Sequence, residues 1–141
     1  MATQEDAIKA VQDIIGALSG IHGAPDYPPE NLNVFPFVVA YPGDGQHFVG
    51  TLVNNTGERK FLGQIVVELH VARKDLPTAV RTSIGFGDSI PNLLIKNPTL
   101  NSTVSTFRAI TQTFGELDWG DTPTLGYRFI LEDVKIHTTI T

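Results

Sequence analysis

Residues 103–138, TVSTFRAITQTFGELDWGDTPTLGYRFILEDVKIHT, decide the reading of this chain. They hold two long runs of β-forming residues joined by the acidic, glycine-bearing segment Gly115–Pro123, and so predict a long hairpin. Because strand side chains alternate, Val104, Thr106, Arg108, Ile110, Gln112 and Phe114 should share one face of the first run, with Ser105, Phe107, Ala109, Thr111 and Thr113 on the other. In the second run Leu125, Tyr127, Phe129 and Leu131 oppose Gly126, Arg128, Ile130, Glu132, Val134 and Ile136. Both runs exceed the usual ~5–6 residues of a strand, so the pair is expected to be the spine of a sheet completed by the other elements.

The chain before this spine supplies those elements. Ala7, Ile8, Val11, Ile14, Ile15 and Leu18 follow helical spacing, with Thr3 as N-cap and Ser19-Gly20 as the stop, which predicts an amphipathic helix over 4–19. Its polar face carries Glu5, Asp6 and Asp13 with only Lys9, so covering the sheet is a better role for it than lying on anionic lipid. Four prolines between Pro25 and Pro36 predict a stiff extended connector. Phe37–Tyr41 reads as a short strand closed by a turn at Pro42-Gly43-Asp44-Gly45, with a return strand over 46–53. A second turn, Asn54–Lys60, precedes a strand over 61–73 whose buried side is Phe61, Ile65, Val67, Leu69 and Val71. Asp75-Leu76-Pro77 starts a helix that Gly85-Phe86-Gly87 should interrupt, and Asp88–Pro91 resembles a fresh cap, so two short helices or one broken helix are expected before Asn97-Pro98. The expectation is one α+β domain over 1–141: a mainly antiparallel sheet with a long C-terminal hairpin, packed against an N-terminal helix and a central broken helix. Its predicted core includes Phe61, Val67, Leu69, Phe107, Phe129 and Leu131.

Composition narrows function mostly by exclusion. With 41% hydrophobic and 18% charged residues in 141, the chain is ordinary globular material, and no apolar run approaches the ~20 residues that cross a bilayer. Ten Lys+Arg against fifteen Asp+Glu give a net charge of −5, and the cations are scattered, which disfavours phosphate-backbone binding. The absence of cysteine removes disulfides, thiolate catalysis and Cys-type zinc sites. The acidic first residues, Met1–Asp6, do not resemble a targeting segment, and synthesis in a cytoplasm is expected.

Catalytic and metal patterns are weak. There is no Gly-x-Ser-x-Gly elbow, and Gly85-Phe86-Gly87-Asp88-Ser89 lacks the third glycine of a dinucleotide fingerprint. Glu68 and His70, two apart on one strand face with His47 on a neighbouring strand, are the best metal candidates, but a third ligand at diagnostic spacing is missing and a hydrogen-bonded surface pair is the expected role. His22 and His137 fall near element ends. Glu132-Asp133 point to opposite faces, and the carboxylates between Glu116 and Asp121 fall in a predicted turn, so neither makes an acid/base pair. No catalytic, cofactor or metal residue is assigned, and no enzymatic activity is expected.

The layout as a whole carries a resemblance: the N-terminal helix, Asp26-Tyr27-Pro28-Pro29-Glu30 leading to Phe35-Pro36 and Tyr41-Pro42-Gly43, the Asn97-Pro98-Thr99-Leu100 stop, and the closing hairpin with Gly126-Tyr127-Arg128-Phe129. Over about residues 5–138 it resembles the tail terminator, or tail-completion, proteins and related minor tail and neck proteins of long-tailed bacteriophages. The resemblance implies a structural virion subunit, assembled in the host cytoplasm, that forms a homo-hexameric ring on the tail tube. Such a ring stops tube polymerisation and offers a surface to the head–tail connector protein, without specific nucleic-acid or membrane binding. Another neck or connector ring protein, or an unrelated non-enzymatic assembly module, is the alternative. An acidic subunit suits a lumen that must not hold phosphates. The loops Asn54–Lys60 and Gly115–Thr122 are expected at the interfaces, with Asn54, Asn55, Glu58, Arg59, Glu116, Asp118, Trp119 and Asp121 as contact residues. Trp119, the sole tryptophan, is expected as an anchor there or else folded back on its own sheet.

Overall fold

The computed structural model describes residues 3–29, 34–50, 57–73, 75–120 and 122–140. Its elements run α1 (Gln4–Gly16), β1 (Phe37–Val49), β2 (Gly57–Ala72), α2 (Leu76–Ile95), β3 (Ala109–Trp119) and β4 (Thr122–Ile140). The strands form one sheet in the order β1-β2-β4-β3, every neighbouring pair antiparallel. This is the α+β class expected, with helices after and before strands and a long closing hairpin. Among the described residues no helix is long and apolar enough to cross a membrane.

Both helices cover one face. Val38 and Ala40 of β1 stand opposite Leu69 and Val67 of β2, and Val67 in turn opposite Phe129 of β4. These side chains and Leu131 are wholly buried with Ala7, Val11 and Ile15 of α1 and Ile90 and Leu94 of α2. Phe107 is only partly buried against this core.

α1 begins where its sequence says. Thr3 Oγ1 accepts from the Asp6 amide (3.2 Å) and Asp6 Oδ2 accepts from the Thr3 amide (3.0 Å), a reciprocal capping box. The helix ends at Gly16, short of the expected residue 19, and the chain turns away through Gly20 at φ +95°. Its buried Gln12 donates from Nε2 to Pro25 O (2.7 Å) and Val38 O (3.1 Å), tying the start of the proline segment and the outer edge of β1 to one side chain. Val38 N also donates to Gly23 O (2.8 Å), so the edge of β1 is occupied at its beginning.

Several local expectations are corrected. β1 is one strand of 13 residues, and the predicted turn at 42–45 is a bulge: Pro42 faces Ile65 and Gly45 faces Gly63, leaving Gly43 and Asp44 opposite Gln64 alone. Proline is tolerated there because β1 is an edge strand. β4 bulges opposite the same Gln64, through Glu132 and Asp133, the latter at φ +54°, and Gln64 Nε2 donates to Glu132 Oε2 (3.0 Å). The extra residue resets the alternation, so Val134 and Ile136 return to the helix side and are buried, instead of opposing Leu131 as strict alternation requires. Glu58, Arg59 and Lys60 belong to β2 and not to a loop.

α2 is one helix of 20 residues running through Gly85-Phe86-Gly87 and Pro91. Gly87 is there for space: a Cβ would sit 2.7 Å from the Tyr127 ring. Ile90 and Leu94, wholly buried, anchor the helix past the proline, so packing outweighs the backbone hydrogen bond that Pro91 cannot donate. Residues 115–119 and 122–123 are likewise strand, with Glu116 facing Leu125 and Trp119 facing Thr122. Gly120, at φ +60°, turns the chain at the end of β3. β3 itself starts at Ala109, and residues before it reach β4 through the bridge Thr106–Lys135, the Arg108 amide on Glu132 O (2.9 Å) and the Arg108 side chain on Asp133.

Candidate functional site

The face of the sheet turned away from the helices holds the densest polar chemistry. β2 presents Glu68 and His70 on it; the pairing sets Val39 and Phe37 of β1 beside them on one side, and Arg128 and Gly126 of β4 on the other. Tyr41 of β1 shares the face two residues along from Val39. The two partners expected to form a surface pair are buried: Glu68 is 3% exposed and His70 not at all.

Their contacts account for the burial. Tyr41 Oη donates to Glu68 Oε2, and Arg128 Nε and Nη2 each lie 3.3 Å from the same oxygen. His70 Nδ1 is 2.6 Å from Thr124 Oγ1, whose single proton goes to Leu117 O (3.1 Å), so Nδ1 is the donor of that pair. His70 Nε2 lies 3.1 Å from Glu68 Oε1 but out of line for a good hydrogen bond. Burial pushes the Glu68 carboxyl up, yet contacts from His70 and Tyr41 and the charges of His70 and Arg128 outweigh it, and the group is held below its ordinary range. The Tyr41 hydroxyl is pushed up to about 12 by burial and by the Glu68 carboxylate it faces.

Trp119 roofs this cluster. Its indole Nε1 donates to Pro29 O (2.6 Å), and its rings lie 5.8 Å from His70 and 6.1 Å from Tyr41. Phe35, Phe37, Val39 and Trp119 form the small apolar cluster of this face. Of the two roles expected for Trp119, the folded-back one is found. Trp119, held to Pro29, covers the cluster from one side while the Arg128 side chain stays half exposed, and the contacts of Glu68 with Tyr41 and Arg128 tie β1, β2 and β4 together. Two open depressions flank the bulge line, one of about 330 Å³ lined by Asp44, Gln64 and Glu132 and one of about 420 Å³ lined by Leu62, Phe107, Arg108 and Lys135. Neither includes Glu68 or His70.

The expected contact residues are dispersed. Asn54, Asn55 and Asp121 lie outside the described residues. Glu58 and Arg59 are exposed near the start of β2, Arg59 facing Val49. Glu116 is exposed on β3 and paired with Arg73 Nη1 at 2.6 Å, while Asp118 is exposed and faces Pro123. Leu125, opposite Glu116, pairs with Val71. From Val71 to Arg59 the strand runs twelve residues, about 40 Å at the usual rise, so one copy of the chain keeps the two sets apart. His47 lies opposite Phe61, its ring 5.0 Å away on the helix side, and so is on the wrong face to join Glu68 and His70. Among the described residues there is no group of three His, Asp or Glu side chains placed to hold a metal ion.

Sequence reasoning found Glu68 and His70 and missed Tyr41, Thr124 and Arg128, which register alone brings to them. The available signal was a charged and an imidazole side chain two apart in an otherwise apolar strand. The sequence matches no protein-family model, and comparison with curated proteins finds no match.

Proposed function

We propose that the chain is a structural ring subunit of a long-tailed phage, of the tail terminator kind, which caps the tail tube and joins it to the head connector. The observation that carries this reading is the arm formed by β1, β2 and β4 beyond the bulge line. The base of the arm is anchored by buried Phe61, Val134 and Ile136, whereas Gln46–Val49, Glu58 and Arg59 are exposed at its end, and Val49 is 75% exposed. An isolated domain gains little by extending three strands past its own core, while a subunit that must reach a neighbour gains a contact surface. Glu68, His70 and Tyr41 bind neighbouring strands of the sheet to one another and Trp119 holds the proline segment, which supports a scaffold role. The alternative, another ring protein of the neck or connector, differs in the partner that the ring meets.

The test is electron microscopy of tail tubes assembled from the cognate tube protein with and without this protein. Tubes of fixed length bearing a six-fold ring at one end are expected. Tubes that grow without limit, with no added density at either end, would overturn the reading.

A further inference from the structure

Eight large apolar side chains among the described residues are substantially exposed, and they fall into two sets. Tyr27, Val34, Phe48 and Val49 lie on β1 or in the segment leading to it, whereas Leu76, Ile84, Ile95 and Phe114 lie on α2 and β3. In the order β1-β2-β4-β3 these are opposite margins of one sheet. The second set lies where the helical layer stops. α2 packs on β4 and β2, with Phe86 turned toward Gly20 just beyond α1. Ile84 and Ile95 are displaced from Phe86 by roughly half a turn at the helical 100° per residue, so they point away from α1, to the side where β3 lies uncovered. Phe114 stands on that side of β3, its ring 5.1 Å from Tyr127.

The backbone edges match this division. Isolated edge strands are normally guarded by charge, proline or bulges. The residues of β3 from Ala109 to Gly115, AITQTFG, carry no charge and no proline. β1 is guarded up to Asp44 by Gly23, Gln12, Pro42 and the bulge, but Gly45–Val49 beyond it is again uncharged apart from any proton on His47. Because all three pairings are antiparallel, β1 and β3 run in opposite directions. A second copy placed beside the first in the same sense therefore sets its β1 antiparallel to the first copy's β3, with helix sides aligned.

We infer that the Ala109–Gly115 edge of β3 pairs with the Gly45–Val49 arm edge of a second copy of this chain, His47 meeting Gln112 so that the arm's Gly45 lies beside the Phe114 ring and its Val49 beside Ile110. The contact is heterologous, so a pair of copies keeps one free arm and one free edge and assembly continues until it closes. It deepens the ring reading and rests on it. Gln112 is level with Val67 and His47 with Phe61, six residues apart along β2, or about 20 Å. The strands must therefore tilt against the assembly axis, as a staggered register demands in a closed barrel.

The test is complementation between two defective copies, read by sedimentation at concentrations where the parent associates. Val49→Lys spoils the arm, and Phe114→Lys spoils the edge; Gln112→Lys, at an exposed position on the same edge, serves where Phe114→Lys fails to fold. Each variant alone is expected to be a monomer. Mixed in equal amounts they should give a heterodimer of twice the mass and nothing larger, since one intact arm meets one intact edge. A mixture that stays monomeric while the parent associates, or a single variant that assembles as the parent does, overturns this interface and leaves the ring reading standing. A parent that remains monomeric at millimolar concentration and adds nothing to tail tubes sinks both.

Discussion

Replacing Trp119 by Ala separates a tryptophan that folds the domain from one that waits for a partner. Complete burial of an aromatic makes its truncation cost about 3–5 kcal/mol. Trp119 is only partly buried, and roughly half of that, about 2 kcal/mol, follows from its lost contacts with Tyr41 and His70. The indole bond to Pro29 O adds about 1 kcal/mol, giving a total near 3 kcal/mol. Trp119→Phe keeps a ring over the cluster and loses the bond, so it should cost about 1 kcal/mol. Urea unfolding followed by far-ultraviolet circular dichroism measures both variants against the parent, and a midpoint shift at constant slope isolates the stability change. For 141 residues the larger loss corresponds to a melting temperature lower by on the order of 10 °C. A Trp119→Ala variant within about 0.5 kcal/mol of the parent would refute the roof over Glu68 and His70 and return the indole to the list of free surface anchors.

Glu68→Gln should cost about 1–3 kcal/mol at neutral pH, because it removes the charge that Arg128 and Tyr41 address. Since the folded carboxyl titrates below its unfolded counterpart, its contribution is present above the ordinary carboxylate range and is lost as pH falls through the folded value. The parent should thus lose stability on acidification more steeply than Glu68→Gln, and parallel pH profiles would contradict the assignment. Gly126→Ala should fail to fold or lose more than about 3 kcal/mol, because the new Cβ would meet the Leu69 carbonyl oxygen at 1.9 Å. Gly85→Ala, inside α2 with open space around it, should instead stabilise by about 0.4–1 kcal/mol, read from the same denaturation curves. Phe129→Ala, at the wholly buried centre of β4, should cost about 3–5 kcal/mol, and an unchanged melting temperature would mean that its strand faces the other way.

Features that depend on neighbours a few residues apart were legible in the amino-acid order. Thr3 and Asp6 start α1, alternation assigns Phe61, Ile65, Val67, Leu69 and Val71 to the core side, and two long β-forming runs imply a closing hairpin. Tertiary structure decided what depends on the strand alongside. Pro42-Gly43-Asp44-Gly45 has the composition of a turn, yet pairing on both sides of it keeps β1 continuous and absorbs the extra residue as a bulge opposite Gln64. Gly85-Phe86-Gly87 and Pro91 have the composition of breaks, yet the packing of Tyr127 on Gly87 and the burial of Ile90 and Leu94 hold α2 in one piece. Trp119 could fold back or stand out on its sequence, and Pro29, ninety residues away, decides it by accepting the indole proton. Separation in sequence hid the site too: Glu68 and His70 were visible as a pair, but whether a carboxylate on a strand faces water or Tyr41 and Arg128 is fixed by register between β1, β2 and β4. Local signals report backbone preference, worth about 1 kcal/mol or less per residue, and burying a large apolar side chain, worth about 1.5–3 kcal/mol, overrules them wherever the two conflict.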